Sequence, residues 1–150
     1  MKELTMDKSA HISRTQKSAF VLDASKFTRM VEVVRARYEQ LELEAKTTFT
    51  VKFADSRVMS FTDYTEVLAL DNRVRNPIHS LQISAANPKK EGGRDLMCQV
   101  DLSGAPESAV TLNVQANDSR AANEAFADLE EQLDRLRSRS WRANWQTSPI

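Results

Sequence analysis

The stretch LMCQVDLSGAPESAVTLNVQA, residues 96–116, decides the fold class. Apolar side chains occupy every second position in each of its halves, which predicts two strands with one apolar face each. The segment SGAPES between the halves is a turn sequence, and so short a connection cannot carry a parallel crossover. We therefore predict antiparallel pairing. The alternating apolar residues are Leu96, Cys98, Val100, Leu102, Val110, Leu112 and Val114.

The same alternation occurs twice more, earlier in the chain. One predicted strand follows Pro77, and the polar loop NPKKEGGRD connects it to residue 96. Another includes Phe49, Val51 and Phe53, and a turn at residues 54–56 leads from it to a further strand at 58–61. This turn lacks the glycine that is typical of a tight hairpin. With a short strand at 18–22, the pattern indicates an antiparallel sheet of about five or six strands, three of them forming a C-terminal meander.

Two long segments have helical spacing, and each has a single apolar stripe. A short helix, capped by Thr62, is predicted between them. Because the long helices and the strands each have one apolar face, we predict an α+β fold in which both helices pack on one side of the sheet as a two-layer sandwich. The stripes contain Phe27, Met30, Val31, Val34, Tyr38 and Leu41 in the first helix, and Ala122, Phe126, Leu129, Leu133 and Leu136 in the last.

The chain is predicted to contain a single domain at residues 18–140, since 150 residues suffice for one hydrophobic core. Residues 1–17 are polar and lack periodicity, so they are interpreted as a flexible tail. Residues 141–150 form a C-terminal tail with both tryptophans. We also consider this tail a junction to a missing segment, in which case the natural chain continues beyond Ile150.

Composition narrows the classes of function. The 21 Lys and Arg residues balance 21 Asp and Glu residues, so the chain has no overall field that would attract nucleic acid. Cys98 is the single cysteine, which excludes an internal disulfide and the cysteine-based zinc motifs. No apolar run is typical of a secretory signal or of a membrane span. We therefore expect a cytoplasmic protein.

No residue pattern indicates catalysis. Cys98 alternates with core residues, so we interpret it as a buried structural cysteine. His11 and His79 have no partner at ligand spacing. Gly92 and Gly93 lie in a hairpin loop, whereas a phosphate-binding loop lies between a strand and a helix. The sequence therefore predicts no catalytic residue, no cofactor and no metal.

The C-terminal segment RLRSRSWRANWQTSPI concentrates arginines and tryptophans. If the last helix continued through it, the rings of Trp141 and Trp145 would lie off the core stripe. Three interpretations remain open: a bend that returns the rings to the domain, a protein interface, and contact with a membrane surface. The candidate partner-binding or membrane-binding residues are Arg135, Arg139, Trp141, Arg142 and Trp145.

These features favour a non-catalytic interaction or regulatory domain that self-associates, or that binds a membrane or effector partner through its C-terminal tail. The alternative is a small-molecule or nucleic-acid binding module, which would use the polar sheet face and basic loops. Nucleic acid is disfavoured, because the chain is neutral overall and its few aromatic residues lie mostly in core positions. The residues of the alternative anion site are Arg57, Arg73, Arg75, Lys89, Lys90 and Arg94.

Overall fold

The computed structural model describes residues 9–17, 21–22, 24–70, 78–87, 95–104, 108–136 and 144–145. Within these ranges the chain forms strands and helices in a mixed order. The structure confirms the strands that alternation predicts at 49–53, 58–61, 81–85, 96–102 and 110–114. In chain order the elements are β1 (Ala10–Gln16), β2 (Val21–Leu22), α1 (Ala24–Gln40), β3 (Lys46–Phe53), β4 (Val58–Phe61), α2 (Tyr64–Leu68), β5 (Ile78–Ala86), β6 (Leu96–Ser103), β7 (Ala109–Ala116), α3 (Ser119–Asp134) and β8 (Asn144–Trp145).

Six strands form one sheet in the order β1-β7-β6-β5-β3-β4. Every pair in this sheet is antiparallel, as the short connections predict. Strands β5, β6 and β7 form the predicted meander. β4 folds back on the outer side of β3, and β1 joins the sheet beside β7, so β1 and β4 are its two edges.

The core lies on one face of the sheet, beneath α1 and α3, which confirms the predicted two-layer arrangement. The buried side chains of α1 belong to one core with those of β3, β5 and β6, and the ring of Phe27 meets that of Phe49 edge to face at 5.7 Å. Tyr38 lies in this core, and its hydroxyl donates a hydrogen bond of 2.6 Å to the carbonyl oxygen of Leu96. This bond satisfies a buried polar group at the junction of α1 and the sheet.

The predicted N-terminal tail is wrong for residues 10–16, which form the edge strand β1. Ala10 and Ile12 lie opposite Ala116 and Val114 on the core side of the sheet. The next core-side position is Arg14, and this charged residue ends the apolar alternation after two members. Periodicity therefore fails to reveal the strand. Residues 1–8 lie outside the described ranges.

Arg37 of α1 lies between the two long helices. Its side chain is only 15% exposed, because α1 and α3 lie side by side and Arg37 points into the groove between them. Its Nε donates to Oδ2 of Asp128 at 3.0 Å, and its Nη1 donates to Oε1 of Glu124 at 3.3 Å. Arg14 forms a similar ion pair between β1 and Glu130 of α3. Three acidic residues of α3 thus connect this helix to its neighbours: Glu124, Asp128 and Glu130.

Aspartates cap the N-terminal ends of α2 and α3. Asp118 caps α3, and its carboxylate accepts a hydrogen bond from the backbone nitrogen of Arg120. The cap of α2 is Asp63 rather than Thr62, and its carboxylate accepts from the backbone nitrogen of Thr65 at 3.0 Å. This hydrogen bond holds the pKa of Asp63 below its usual value. Asp63 is therefore ionised at neutral pH.

Two residues with a Cβ atom have left-handed backbone, Glu42 with φ 58° and Ser56 with φ 74°. Glu42 follows α1, where Leu43 donates its backbone N–H to the carbonyl of Tyr38 and Glu42 donates to Glu39, the Schellman arrangement. Ser56 ends the β3–β4 turn, in which its N–H bonds to the carbonyl of Phe53. Both are positions at which glycine is preferred.

We predict that Glu42→Gly and Ser56→Gly each stabilise the protein by about 0.5–1 kcal/mol, because left-handed backbone costs a residue with a Cβ about 1–2 kcal/mol and the greater chain entropy of glycine offsets part of this. Urea denaturation would measure the free energy of unfolding. Ser84→Gly in the middle of β5 is the matched control, and it should destabilise the protein. Loss of stability in both Glu42→Gly and Ser56→Gly would contradict the interpretation.

Candidate functional site

The predicted C-terminal site is described only in part. α3 ends at Asp134, so the angles expected from a continued helix do not apply to Trp141 and Trp145. Arg135 is the C-cap of α3, and its Nη2 lies 3.4 Å from Oε1 of Glu131. It is thus engaged on its own helix. The candidates Arg139, Trp141 and Arg142 lie outside the described residues.

Trp145 belongs to β8, whose backbone returns to the domain. β8 pairs in parallel with β2, and Trp145 lies opposite Leu22. Leu22 is two residues before Ala24, where α1 begins. The backbone of the C-terminal segment at 144–145 is therefore next to the start of the first long helix.

The candidate anion site lies mostly outside the described residues. Arg57 lies in the β3–β4 connection, where its Nε donates to Asp55 at 2.9 Å and its guanidinium lies 5.5 Å from the centre of the Phe53 ring. The segments 71–77 and 88–94 join opposite ends of β5. Five of the six predicted residues lie in those segments, outside the described ranges: Arg73, Arg75, Lys89, Lys90 and Arg94.

The groups with nucleophilic or acid–base chemistry are dispersed or buried. Cys98 is 2% exposed, as predicted for a core cysteine, and burial raises the pKa of its thiol to about 12. Burial likewise raises the pKa of Tyr38. His11 lies on β1 and His79 on β5, with β7 and β6 between them. Within the described ranges, no group of three or more His, Cys, Asp or Glu residues could hold a metal ion.

The sheet face opposite the helices is polar, as predicted. Its central positions are half-buried, and some of them are hydrogen-bonded. Nε2 of Gln99 donates to Asp101 at 3.2 Å, and the hydroxyl of Thr111 lies 3.1 Å from that of Thr15 on the edge strand β1. Such a face is typical of an antiparallel sheet that contacts water on one side. The central polar residues are Ser80, Gln82, Ser84, Gln99, Asp101, Thr111 and Asn113.

Strand β4 is the exposed apolar feature of the described structure. Val58 is 58% exposed and Met59 is 42% exposed, and they are the large hydrophobic residues with high exposure among those described. β4 pairs with β3 on one side only. Alternation predicted this strand, but its edge position depends on a strand order that the sequence does not provide. This surface is therefore not predictable from the sequence alone.

The hairpin geometry determines which backbone groups of β4 point outward. The N–H of Phe53 donates to the carbonyl of Arg57 at 2.9 Å, so Arg57 pairs inward with β3. Antiparallel strands alternate between inward and outward pairs. Met59 and Phe61, opposite Val51 and Phe49, therefore bond inward, whereas the N–H and C=O groups of Val58 and Ser60 point away from the sheet.

Comparisons with known proteins add no relative: no family model, no curated protein and no solved structure matches this chain. In the described part of the chain, no helix has the length and apolar character needed to cross a membrane. The site must therefore be interpreted from its geometry.

We predict that the thiol of Cys98 does not react with a disulfide reagent in the folded protein at mildly alkaline pH. An unperturbed thiol with a pKa of about 8.5 forms thiolate there, whereas burial raises the pKa of Cys98 to about 12. Absorbance of the released thiolate would follow the reaction, with the urea-unfolded protein as the positive control. Rapid stoichiometric reaction of the folded protein would contradict the buried position.

Proposed function

We propose that this chain is a non-catalytic interaction domain that self-associates through the β4 edge. The observation that supports this proposal is the exposure of Val58 and Met59 on a strand with one partner. An edge strand offers a row of N–H and C=O groups to a second strand, and apolar side chains there favour addition over hydration. Within the described ranges, this combination occurs at β4.

The opposite edge has different chemistry. The exposed positions of β1 include Ser13, Arg14 and Thr15, which are polar or charged. Polar and charged edges resist pairing with other chains, and this is a common protection of natural sheets. The contrast between β1 and β4 supports an association that uses one edge. An association in which β4 of one copy pairs with β4 of the other stops at the dimer, because no β4 edge is left. A contact between β4 of one copy and β1 of the next would instead continue into a filament.

The charge of the chain is compatible with a second copy as the partner. Its 21 basic and 21 acidic residues leave no net charge, so two copies do not repel each other at long range. Because β4 has only four residues, we expect weak association that depends on concentration. A cytoplasmic location belongs to the same proposal, since it suits a chain whose single cysteine is buried and reduced.

The C-terminal tail remains a second candidate route to a protein or membrane partner. Its candidate residues are those predicted from the sequence: Arg135, Arg139, Trp141, Arg142 and Trp145. The pairing of β8 with β2 brings the backbone of part of the tail beside α1. The two routes make different predictions for a chain shortened by residues 137–150. Association through β4 survives this deletion, whereas association through the tail is lost.

We predict that the protein forms a dimer in sedimentation velocity experiments over a concentration series, and that Met59→Lys weakens this dimer by at least about tenfold, because the ammonium group would have to lose water in the contact. Thr15→Lys is the matched control, since it introduces the same group at an exposed position of the other edge. It should leave the dimer unchanged.

Circular dichroism of every variant would verify that the fold is retained. A wild-type chain that remains monomeric throughout the series would refute self-association. Equal weakening by Met59→Lys and Thr15→Lys would refute the assignment to β4, and loss of the dimer on deletion of 137–150 with Met59→Lys unchanged would favour the tail.

A further inference from the structure

We propose that Met59 is a site of reversible oxidation by peroxide, and that its sulfoxide prevents self-association through β4. This inference rests on the proposed self-association and adds its regulation. Met59 is the thioether of that edge, and it is exposed to solvent. Oxidation of its sulfur would give β4 the polar character that protects sheet edges such as β1 from pairing with other chains.

The exposure of Met59 follows from where the helical layer ends. Met59 lies opposite the buried Val51, and therefore on the helix-covered side of the sheet. The core nevertheless does not include Met59, whereas Phe61 on the same side of β4 packs against it. Residues 54–60 are all exposed, so α1 and α3 do not cover this part of the hairpin. The Met59 side chain is accordingly accessible to a dissolved oxidant.

The other sulfur atoms of the described residues are less accessible. Met30 and Cys98 are fully buried in the core, and Met97 is half-buried on β6. Burial also raises the pKa of the Cys98 thiol to about 12, which suppresses the thiolate that reacts with peroxide. Among the described residues, Met59 therefore carries the sulfur that peroxide reaches first.

The reaction at Met59 is an oxygen transfer that balances with hydrogen peroxide alone. A lone pair of the thioether sulfur attacks one peroxide oxygen, the O–O bond breaks, and the other oxygen leaves as water with both protons. The sulfur is oxidised and the peroxide is reduced. In the reverse direction, two external thiols become a disulfide, the sulfoxide oxygen leaves as water, and the thioether is restored.

The added oxygen changes what β4 offers to a second strand. A sulfoxide is a polar group, and an apolar contact would require it to lose water. In a single copy the oxygen stays in water, because Met59 lies outside the core. We expect oxidation to weaken the dimer by about tenfold or more. The free energy of unfolding of the monomer should not change.

Peptide mapping identifies the oxidised residue. Trypsin releases residues 58–73, in which Met59 is the only methionine, and it separates this peptide from those that contain Met30 and Met97. After brief treatment of the folded protein with hydrogen peroxide, mass spectrometry should find the added oxygen in residues 58–73 before either of the other two peptides. Oxidation of Met30 or Met97 ahead of Met59 would overturn the proposal.

Sedimentation velocity of the oxidised protein tests the effect on association. Peroxide should shift the wild-type dimer toward monomer, and the two epimer-specific methionine sulfoxide reductases with a thiol should restore it. Met59→Leu keeps an apolar side chain of similar volume without sulfur, so this variant should dimerise and resist peroxide. Met97→Leu is the matched control, and its dimer should remain sensitive to peroxide.

Met59→Gln imitates the oxidised residue without any oxidant, because its amide places a polar group near the position of the sulfoxide. This variant should associate as weakly before peroxide treatment as the oxidised wild-type chain does. Peroxide should weaken its association no further. Circular dichroism would verify that each variant keeps the fold.

The outcomes separate this inference from the self-association on which it rests. A wild-type dimer that persists after complete oxidation of Met59 overturns the inference and leaves self-association through β4 standing. Equal peroxide sensitivity of Met59→Leu and the wild-type chain assigns the effect to another residue and also overturns the inference. A wild-type chain that is monomeric at every concentration before oxidation refutes the self-association, and the inference with it.

Discussion

The buried apolar residues of β3, β5, β6 and β7 lie on one face of the sheet, and α1 and α3 cover them. Inside this layer the Tyr38 hydroxyl donates to the Leu96 carbonyl, which fixes the end of α1 on the sheet. Arg37, the residue before Tyr38 on α1, donates to Asp128 and Glu124 of α3. Two neighbouring residues of α1 thereby connect this helix to the sheet and to α3. The position of α3 then determines where β1 is held, through Arg14 and Glu130.

One-sided burial leaves two kinds of surface for recognition, the polar face and the edges. The polar face satisfies part of its hydrogen-bonding capacity internally, and the highly exposed large apolar residues among those described lie on the β4 edge. The edges differ from each other, since β1 presents polar and charged groups and β4 presents Val58 and Met59. This asymmetry, and not any pocket, gives the fold its most distinctive surface. The proposed dimer uses the surface and leaves the polar face in contact with water.

Much of the fold follows from local pattern. Alternation predicts the strands of the meander because the core-side residues of β6 and β7 are uniformly apolar, and the helical stripe of α1 contains the residues that the structure buries. β1 was missed because Arg14 occupies a core-side position, where an ion pair replaces apolar contact. The β3–β4 turn was predicted although Ser56 stands where glycine is usual.

The candidate site was much less predictable than the fold. Its decisive property is that β4 lies at an edge, which depends on β5 pairing with β3 across a long chain separation. Nothing within residues 57–63 encodes this pairing. The sequence instead indicates the C-terminal tail, in which arginines and both tryptophans are concentrated. Unusual composition can be recognised in a sequence. The edge position of a strand cannot, because it depends on the order of the strands in the assembled sheet.

Amide hydrogen exchange measured by NMR at several protein concentrations tests the central claim most directly, because it reports on the backbone groups that a second strand would bind. The outward N–H groups of Val58 and Ser60 should exchange more slowly as concentration rises, while those at the outer edge of β1 keep their rates. Exchange at Val58 and Ser60 that is independent of concentration, in samples whose sedimentation indicates a dimer, would contradict pairing through β4.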